Sequence, residues 1–403
     1  MLAVAQALLA RGHDVAMQTA TPYQAIVEAA RVTYLPPTRA PDRDYNRLDA
    51  SFPELRGLPN AETMARLFAN IALRDARAQG HDVVTASAAW RPDVLVNDGI
   101  ALGVPLASGL LRLPWATVSP FVFCTIPAPD VPPPFLGVRW LPGRRGQLLA
   151  SALNRAVDIR LTRTSRRWRA VAAAWKVSAP ARSIRTAGSS PFLYLYPGGP
   201  PLEYPRRHWP VQAHGVGPLL LASTPSVAAQ PPIRPRIFLT EGTTHTDRRL
   251  THLAMRALAD LPVDLMIALG DRDLEEQPGP LPANVCLLRY VNYRVALNGA
   301  SLLITNGGAG SLLAALEAGV PSLILPAGLD KGEAAQRLAW SGAALRLPSA
   351  EQCTVDHFRG AALALIEQQG YYARARAVGQ ELLGLGGAAR AAELVATVVK
   401  QAD

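Results

Sequence analysis

Apolar residues along this chain come in two textures. In the C-terminal half they form short unbroken runs: RIFLTEG (236–242), DLMIALG (264–270), NVCLLRYV (284–291), SLLITNGG (301–308) and PSLILP (321–326). Each is strand-length and bounded by Gly, Asn or Pro. Between the first two, RRLTHLAMRALADL (248–261) places its apolar residues at helical spacing. The N-terminal half is Ala- and Arg-rich with helical periodicity, punctuated by PDVLVND (92–98) and LPWATVSP (113–120). Strand-length runs alternating with helix-length ones predict crossover units on parallel sheets, an α/β class of doubly wound domains. Between 197 and 235 prolines crowd the chain and resist regular structure. The sequence thus divides into a first domain at 1–218, a linker at 219–231 and a second domain at 232–403. Such sheets collect ligands at the carboxyl ends of their strands.

Composition narrows the picture. A chain of 403 residues suits two domains, and 49% hydrophobic with 18% charged residues is globular. Cys124, Cys286 and Cys353 lie far apart with no CxxC spacing, which argues against a disulfide framework and fits a reducing cytosol. The weakly charged stretch 113–138 carries Pro114, Pro120, Pro127, Pro129 and Pro132 to Pro134, so it cannot be a membrane helix. With no basic-then-apolar leader at the start, the expectation is a soluble cytoplasmic protein.

The net charge is +10, and every basic residue except Lys176, Lys331 and Lys400 is arginine. That bias reads as genome composition as much as function. The densest cluster is Arg160, Arg163, Arg166, Arg167 and Arg169, with Leu153, Val157, Leu161, Trp168, Val171 and Trp175 about one turn apart. This predicts an amphipathic basic helix around 151–177, either a solvated face over a packed stripe or a contact for a membrane surface or an anionic acceptor. No nucleic-acid motif, no G-x-S-x-G elbow and no metal-ligand spacing among the histidines is present, so no metal is expected.

The stretch ITNGGAGSLLAALEAG (304–319) runs strand, glycine turn, helix. A helix N-terminus offers unpaired amides and partial positive charge, a natural seat for phosphate, and glycines permit close approach. Leu313 stands where a dinucleotide fingerprint needs its third glycine, and no GKS or GKT follows. A tight turn without a ligand is the competing reading.

Taken in order, Gly242-Thr243, VNYRVAL, NGGAGS, AGVP (318–321) and Asp330-Lys331 resemble the C-terminal signature of the family 1 nucleotide-sugar-dependent glycosyltransferases, especially the bacterial macrolide-glycosyltransferase-like branch. WPVQAHGVGPLL (209–220) and ALLARGHDV (7–15) extend the resemblance over nearly the whole chain. Two departures stand out: Asn306 replaces the usual histidine and Lys331 the usual glutamine. NGG with DKxE, RLAWSG, SFPELRGL and PLEYPRRHWP is similar to a bacterial sub-branch, a variant donor pocket.

The resemblance implies the GT-B architecture, two Rossmann-like domains facing a cleft, with the acceptor held by 1–218 and the donor by 232–403. It implies inverting transfer of a hexose from a UDP-sugar, or secondly a dTDP-sugar, to a hydroxyl of a small, lipophilic acceptor. The nucleotide sugar is a co-substrate, and no further cofactor is implied. Gly307, Gly308, Gly310 and Ser311 would face the diphosphate, with Gly242 and Thr243 on the adjacent loop. Asn306 would donate an amide hydrogen bond, and Tyr290 and Val291 would line the base pocket. Asp330 would accept from sugar hydroxyls with Lys331 beside it, although Asp330 and Glu333 also have capping-box spacing. Asp98 would orient a catalytic histidine, or simply open a loop.

In the family that histidine follows a first strand ahead of the helix matching LAVAQALLARGHDV, and this sequence begins inside that helix. His13 belongs to the turn after it. Two explanations remain, a gene start placed too late or a protein without the usual base, and the first is favoured. The rival functions are a non-catalytic nucleotide-sugar-binding homologue and a GT-B epimerase or hydrolase acting on the nucleotide sugar.

Overall fold

The computed structural model describes residues 1–44, 51–55, 63, 66, 71–178, 181–221, 233–242, 248–270 and 281–400. They form two compact units: 1–199 with 203–221 and 385–403, and 200–202 with 222–384.

The second unit is a six-stranded parallel sheet, ordered β12-β11-β10-β7-β8-β9. Its strands are β7 (Arg236–Thr240), β8 (Asp264–Ala268), β9 (Val285–Leu288), β10 (Leu302–Thr305), β11 (Ser322–Ile324) and β12 (Ala344–Arg346). The apolar runs predicted five of these. The helices here are α7 (Arg249–Leu258), α8 (Tyr293–Leu297), α9 (Ala309–Glu317), α10 (Lys331–Ser341), α11 (Val355–Glu367) and α12 (Gln369–Leu383). On α7, Leu250, Leu253, Ala254, Ala257 and Leu258 are buried, the i, i+3, i+4, i+7, i+8 stripe of a helix lying on a core. They join Ile237, Leu239, Ile267, Leu302, Ile304 and Phe358 in one apolar cluster. Each fully buried leucine there contributes about 2 kcal/mol. Gly379 of α12 sits so close to α9 that a Cβ would fall 1.9 Å from the Leu316 carbonyl oxygen, which fixes α9 against its neighbour.

The first unit carries a four-stranded parallel sheet, β3 (Leu95–Asn97), β4 (Trp115–Val118), β5 (Leu193–Tyr196) and β6 (Ala213–Gly215), in chain order. A separate parallel pair joins β1 (Ala16–Gln18) to β2 (Thr33–Leu35). Its helices are α1 (Leu2–Leu9), α2 (Gln24–Ala29), α3 (Leu73–Trp90), α4 (Gly103–Leu111), α5 (Gly143–Arg160), α6 (Thr162–Ala174) and, from the far end of the chain, α13 (Gly387–Lys400). Helices α3 and α4 meet glycine to glycine, since a Cβ on Gly103 would lie 2.3 Å from the Gly80 nitrogen.

Two expectations change. First, residues 385–403 belong to the first unit, not to a domain at 232–403. Ala391, Val395 and Val398 present one face of α13 to Val4, Val118, Leu193 and Leu195, and an amphipathic helix does not announce which core it will cover. Conversely, the turn 200–202 goes with the second unit, where the Leu202 carbonyl accepts from Arg337. Most of the expected linker lies outside the described residues.

Second, the basic helix is two helices, broken at Leu161. Trp168 is fully buried, with Leu161, Val171 and Trp175 packed around it, while Arg160, Arg163, Arg166, Arg167 and Arg169 line the outer side. That is a solvated face over a packed stripe. Residues 369–399, long and apolar enough by composition over one stretch to cross a membrane, are α12 and α13 with Gly384 to Gly386 between them, Gly386 at φ +91.

Candidate functional site

Strands β7 and β10 are neighbours, with Thr240 opposite Thr305, but the chain leaves β7 towards β8 and β10 towards β11. Successive connections of the six-stranded sheet run in opposite directions here, and ligands of open α/β sheets bind beyond the strand ends at such a point. The two ends are tied together. Asn306, 3% exposed, donates from Nδ2 to the main-chain carbonyl of Glu241. The Glu241 carboxylate in turn accepts the N–H and the hydroxyl of Thr251 on α7, each at 2.8 Å. The amide nitrogen that sequence reasoning aimed at a ligand therefore holds β10 to β7, with one of its two hydrogens left over.

Beyond Asn306 the main chain turns on glycine, buried at Gly307, half-buried at Gly308 and exposed at Gly310. Gly307 has φ +98, and a Cβ there would meet the Lys331 Cβ at 3.1 Å and the Lys331 carbonyl oxygen at 3.2 Å. Gly308 caps α9 with φ −65 and ψ 134, and nothing but the Ser311 Oγ lies within 4 Å of a Cβ built on it. The first helical bond runs from Leu312 to the Gly308 carbonyl at 3.1 Å. Among the described residues, the N–H groups of Ala309 and Gly310 find no acceptor, so α9 opens with free donors and the positive end of its dipole. Ser311, expected to face a ligand with its hydroxyl, is buried; its Oγ lies 2.9 Å from the Gly308 carbonyl and 3.1 Å from the Thr305 hydroxyl. What this end offers an anion is backbone.

The next strand end supplies charge. Gly328 and Leu329 both take positive φ, +75 and +53, ahead of Asp330. For leucine this is strained backbone of the kind found at functional sites. Asp330 is the N-cap of α10 but makes no side-chain capping bond. Glu333 is engaged elsewhere: fully buried, it accepts from the Nε of buried Arg337 at 2.8 Å. The capping-box reading of this pair thus gives way to an i,i+4 ion pair. Burial pushes the Asp330 carboxyl above the usual range, against the opposing pull of its own main-chain N–H and the Lys331 charge. Lys331 is itself 5% exposed.

Tyr290 is exposed and Val291 half-buried after β9. Gly242 follows Glu241 with φ +70, and Thr243 lies outside the described residues. Sequence reasoning missed Tyr293. Its ring lies 5.8 Å from that of Phe238 and approaches Gly310, its hydroxyl bonds Thr240, and burial raises its pKa. An asparagine N-cap at Asn292 was the available signal, since it places Tyr293 at the first turn of a helix facing the glycines.

In the first unit, Asp98 follows the last residue of β3. Its Oδ1 accepts from the main-chain N–H groups of Ile100 and Ala101 at 2.8 and 2.9 Å, so it does open its loop. The carboxylate also feels the charge of the Met1 ammonium, whose pKa burial lowers against the opposing pull of Asp98. His13 is exposed in the turn after α1. Among the described residues no three His, Cys, Asp or Glu side chains gather as a metal set.

Residues 252–398 match the family described as erythromycin biosynthesis protein CIII-like, C-terminal domain. Over 361 residues the chain is 31% identical to the 4'-demethylrebeccamycin synthase of Lentzea aerocolonigenes, covering 86% of this chain and 84% of that one. Among solved structures, the calicheamicin glycosyltransferase CalG4 superposes with a TM-score of 0.76 at 18% identity, over 99% of this chain and 94% of that one. The spinosyn rhamnosyltransferase SpnG complexed with thymidine diphosphate gives a TM-score of 0.72 at 22% identity, over 99% and 95%. The backbone cradle at the switch point, the ordered motifs and these likenesses agree: the chain belongs to the family 1 glycosyltransferases of GT-B fold, enzymes that glycosylate small natural products.

Proposed function

We propose that this glycosyltransferase moves a hexose from UDP to a hydroxyl of a small lipophilic acceptor, by one in-line displacement that inverts the anomeric carbon. The observation that carries the reading is the pair of uncommitted amides at the start of α9, set at the switch point of the sheet. A leaving diphosphate develops charge as the glycosidic bond breaks, and fixed main-chain donors stabilise it without reorganising. Gly307, Gly308 and Gly310 let it approach; Lys331 adds positive charge; Asp330 orients sugar hydroxyls; Tyr290 and Val291 flank the base. In the first unit, Asp98 uses its second oxygen to orient the group that takes the acceptor's proton.

A second donor reading, a dTDP-deoxysugar, is favoured by one observation: the SpnG neighbour is complexed with thymidine diphosphate. Calorimetric titration with UDP and with dTDP decides between them. Micromolar affinity, near −8 kcal/mol by order of magnitude (about 1 μM), is expected for the true donor nucleotide. No heat from either in a folded sample refutes the reading. With donor and acceptor supplied, the anomeric coupling in the product's NMR spectrum reports inversion. Donor sugar altered without any acceptor would favour an epimerase or hydrolase instead.

A further inference from the structure

The stripe packed around Trp168 explains the inner side of the basic helices and leaves the outward side of α5 and α6 without a role. Residues 143–178 carry nine arginine and lysine side chains against one acidic residue, Asp158, so this short segment holds +8 of the chain's net +10. Asp158 is already engaged, its Oδ1 accepting from Nη1 of Arg185 at 2.9 Å. Arg144, Arg145, Arg155, Arg160, Arg163 and Arg167 are exposed and meet no carboxylate at ion-pair distance among the described residues.

Large aliphatic side chains sit among these charges. Leu148 is 71% exposed and Ile159 67%. Their spacing is about three helical turns, so they share one outward stripe of α5 with Arg144, Ala152 and Arg155. Leu149, also exposed, flanks that stripe on the side of Arg145 and Arg160. The roll of the helix is fixed from the opposite side, where Gly146, Ala150 and Asn154 are buried. The Asn154 amide donates to the Ala128 and Val131 carbonyls at 3.1 and 3.0 Å, and its carbonyl accepts from Arg185 at 2.7 Å. Turning Leu148 and Ile159 inward would break all three bonds. On α6, Trp168 and Ala172 face the core, so Arg163, Arg166 and Ala170 point away from it.

We propose that the outward side of α5 and α6 docks on an anionic phospholipid bilayer, with Leu148 and Ile159 among the acyl chains and the arginines on lipid phosphates. A guanidinium binds phosphate oxygens with two parallel N–H groups. Each basic side chain held near an anionic membrane surface strengthens binding by about fivefold. A soluble polyanion would need the arginines alone. Aliphatic side chains ringed by guanidinium groups fit the boundary between headgroups and acyl chains instead. Docking of this kind goes beyond the function proposed above and holds whichever sugar and acceptor the enzyme uses.

The test sediments the full chain with vesicles of phosphatidylcholine alone, and with vesicles that also contain about 30% phosphatidylglycerol, at low and high salt. Binding to the anionic vesicles exceeds binding to the neutral ones at least about tenfold and weakens as salt rises. Leu148→Ser combined with Ile159→Ser weakens it about tenfold and leaves retention on heparin unmoved. Arg163→Gln, Arg166→Gln and Arg167→Gln together weaken both vesicle and heparin binding at least about tenfold. All five side chains are exposed, so both variants keep the parent's melting temperature and nucleotide affinity. Binding that does not distinguish anionic from neutral lipid, or that survives the arginine substitutions, overturns the proposal. Vesicle binding lost through the arginines but indifferent to Leu148 and Ile159 assigns the face to a soluble polyanion and overturns it equally.

Discussion

The two units present different materials at their strand ends. In the second, the side chains that look functional are turned inward: Asn306 holds Glu241, and Ser311 holds Thr305 and the Gly308 carbonyl. What remains outward is main chain, opened by glycine. In the first, a side chain stands at the strand end: Asp98 accepts two main-chain N–H groups of its own loop through Oδ1 and carries a charge felt by the Met1 ammonium. A diphosphate is the same in every nucleotide sugar, so a backbone cradle suffices for it. Acceptors differ in shape, and side chains on loops can be changed without disturbing a sheet.

That contrast breaks most severely at Gly307. Gly307→Val forces a branched residue into φ +98 with its Cβ against Lys331, costing about 3 kcal/mol or more. Nucleotide affinity falls at least about a hundredfold; retention of normal UDP binding would mean the turn is not part of the cradle. Next comes Asp98→Asn, which keeps the loop bonds through its amide oxygen but removes the charge. Turnover drops by roughly a hundredfold with nucleotide affinity unchanged, and a drop in nucleotide affinity instead would blur the distinction between the units.

Smaller effects sharpen it. Asn306→Ala frees the Glu241 carbonyl and loosens β10 from β7, weakening nucleotide binding about tenfold, in line with about 1–2 kcal/mol for a buried bond. A variant with unaltered affinity would show the tie to be dispensable. Asp330→Asn gives the smallest change and two opposite signs. Because the folded-state pKa of Asp330 is raised, the native state holds its proton more tightly than the unfolded chain, and stability declines as pH rises through the window from the ordinary carboxylate value to the raised one. The neutral amide of this variant removes that decline and raises the melting temperature at neutral pH by roughly a few degrees, while transfer slows. Lower stability in the variant would mean that the carboxylate is compensated in the apo protein.

How much of this was legible in the sequence varies by element. The β10–glycine–α9 junction was readable because apolar period and glycine change together over a few residues. The buried runs gave β7 to β11 for the same reason. Strands of three residues with half-exposed faces, β1, β2 and β12, leave no such trace. The return of α13 to the first unit is a choice between two apolar cores that local pattern cannot express. Spacing alone made Glu333 a partner for Asp330, whereas the buried guanidinium of Arg337 four residues on takes it. Tyr293 and Glu241 gain their roles only when β7, α8 and β10 are brought side by side.

The central claim is that the free N–H groups opening α9 hold the diphosphate, and Ala309→Pro addresses it most directly. Gly308 already has φ −65 and ψ 134, the conformation required ahead of proline, and the first helical position tolerates a missing N–H. The substitution therefore deletes one donor and little else. With melting temperature retained, affinity for the donor nucleotide should fall about tenfold, the worth of one charge-assisted hydrogen bond. Undiminished UDP and dTDP binding by this variant would contradict the claim.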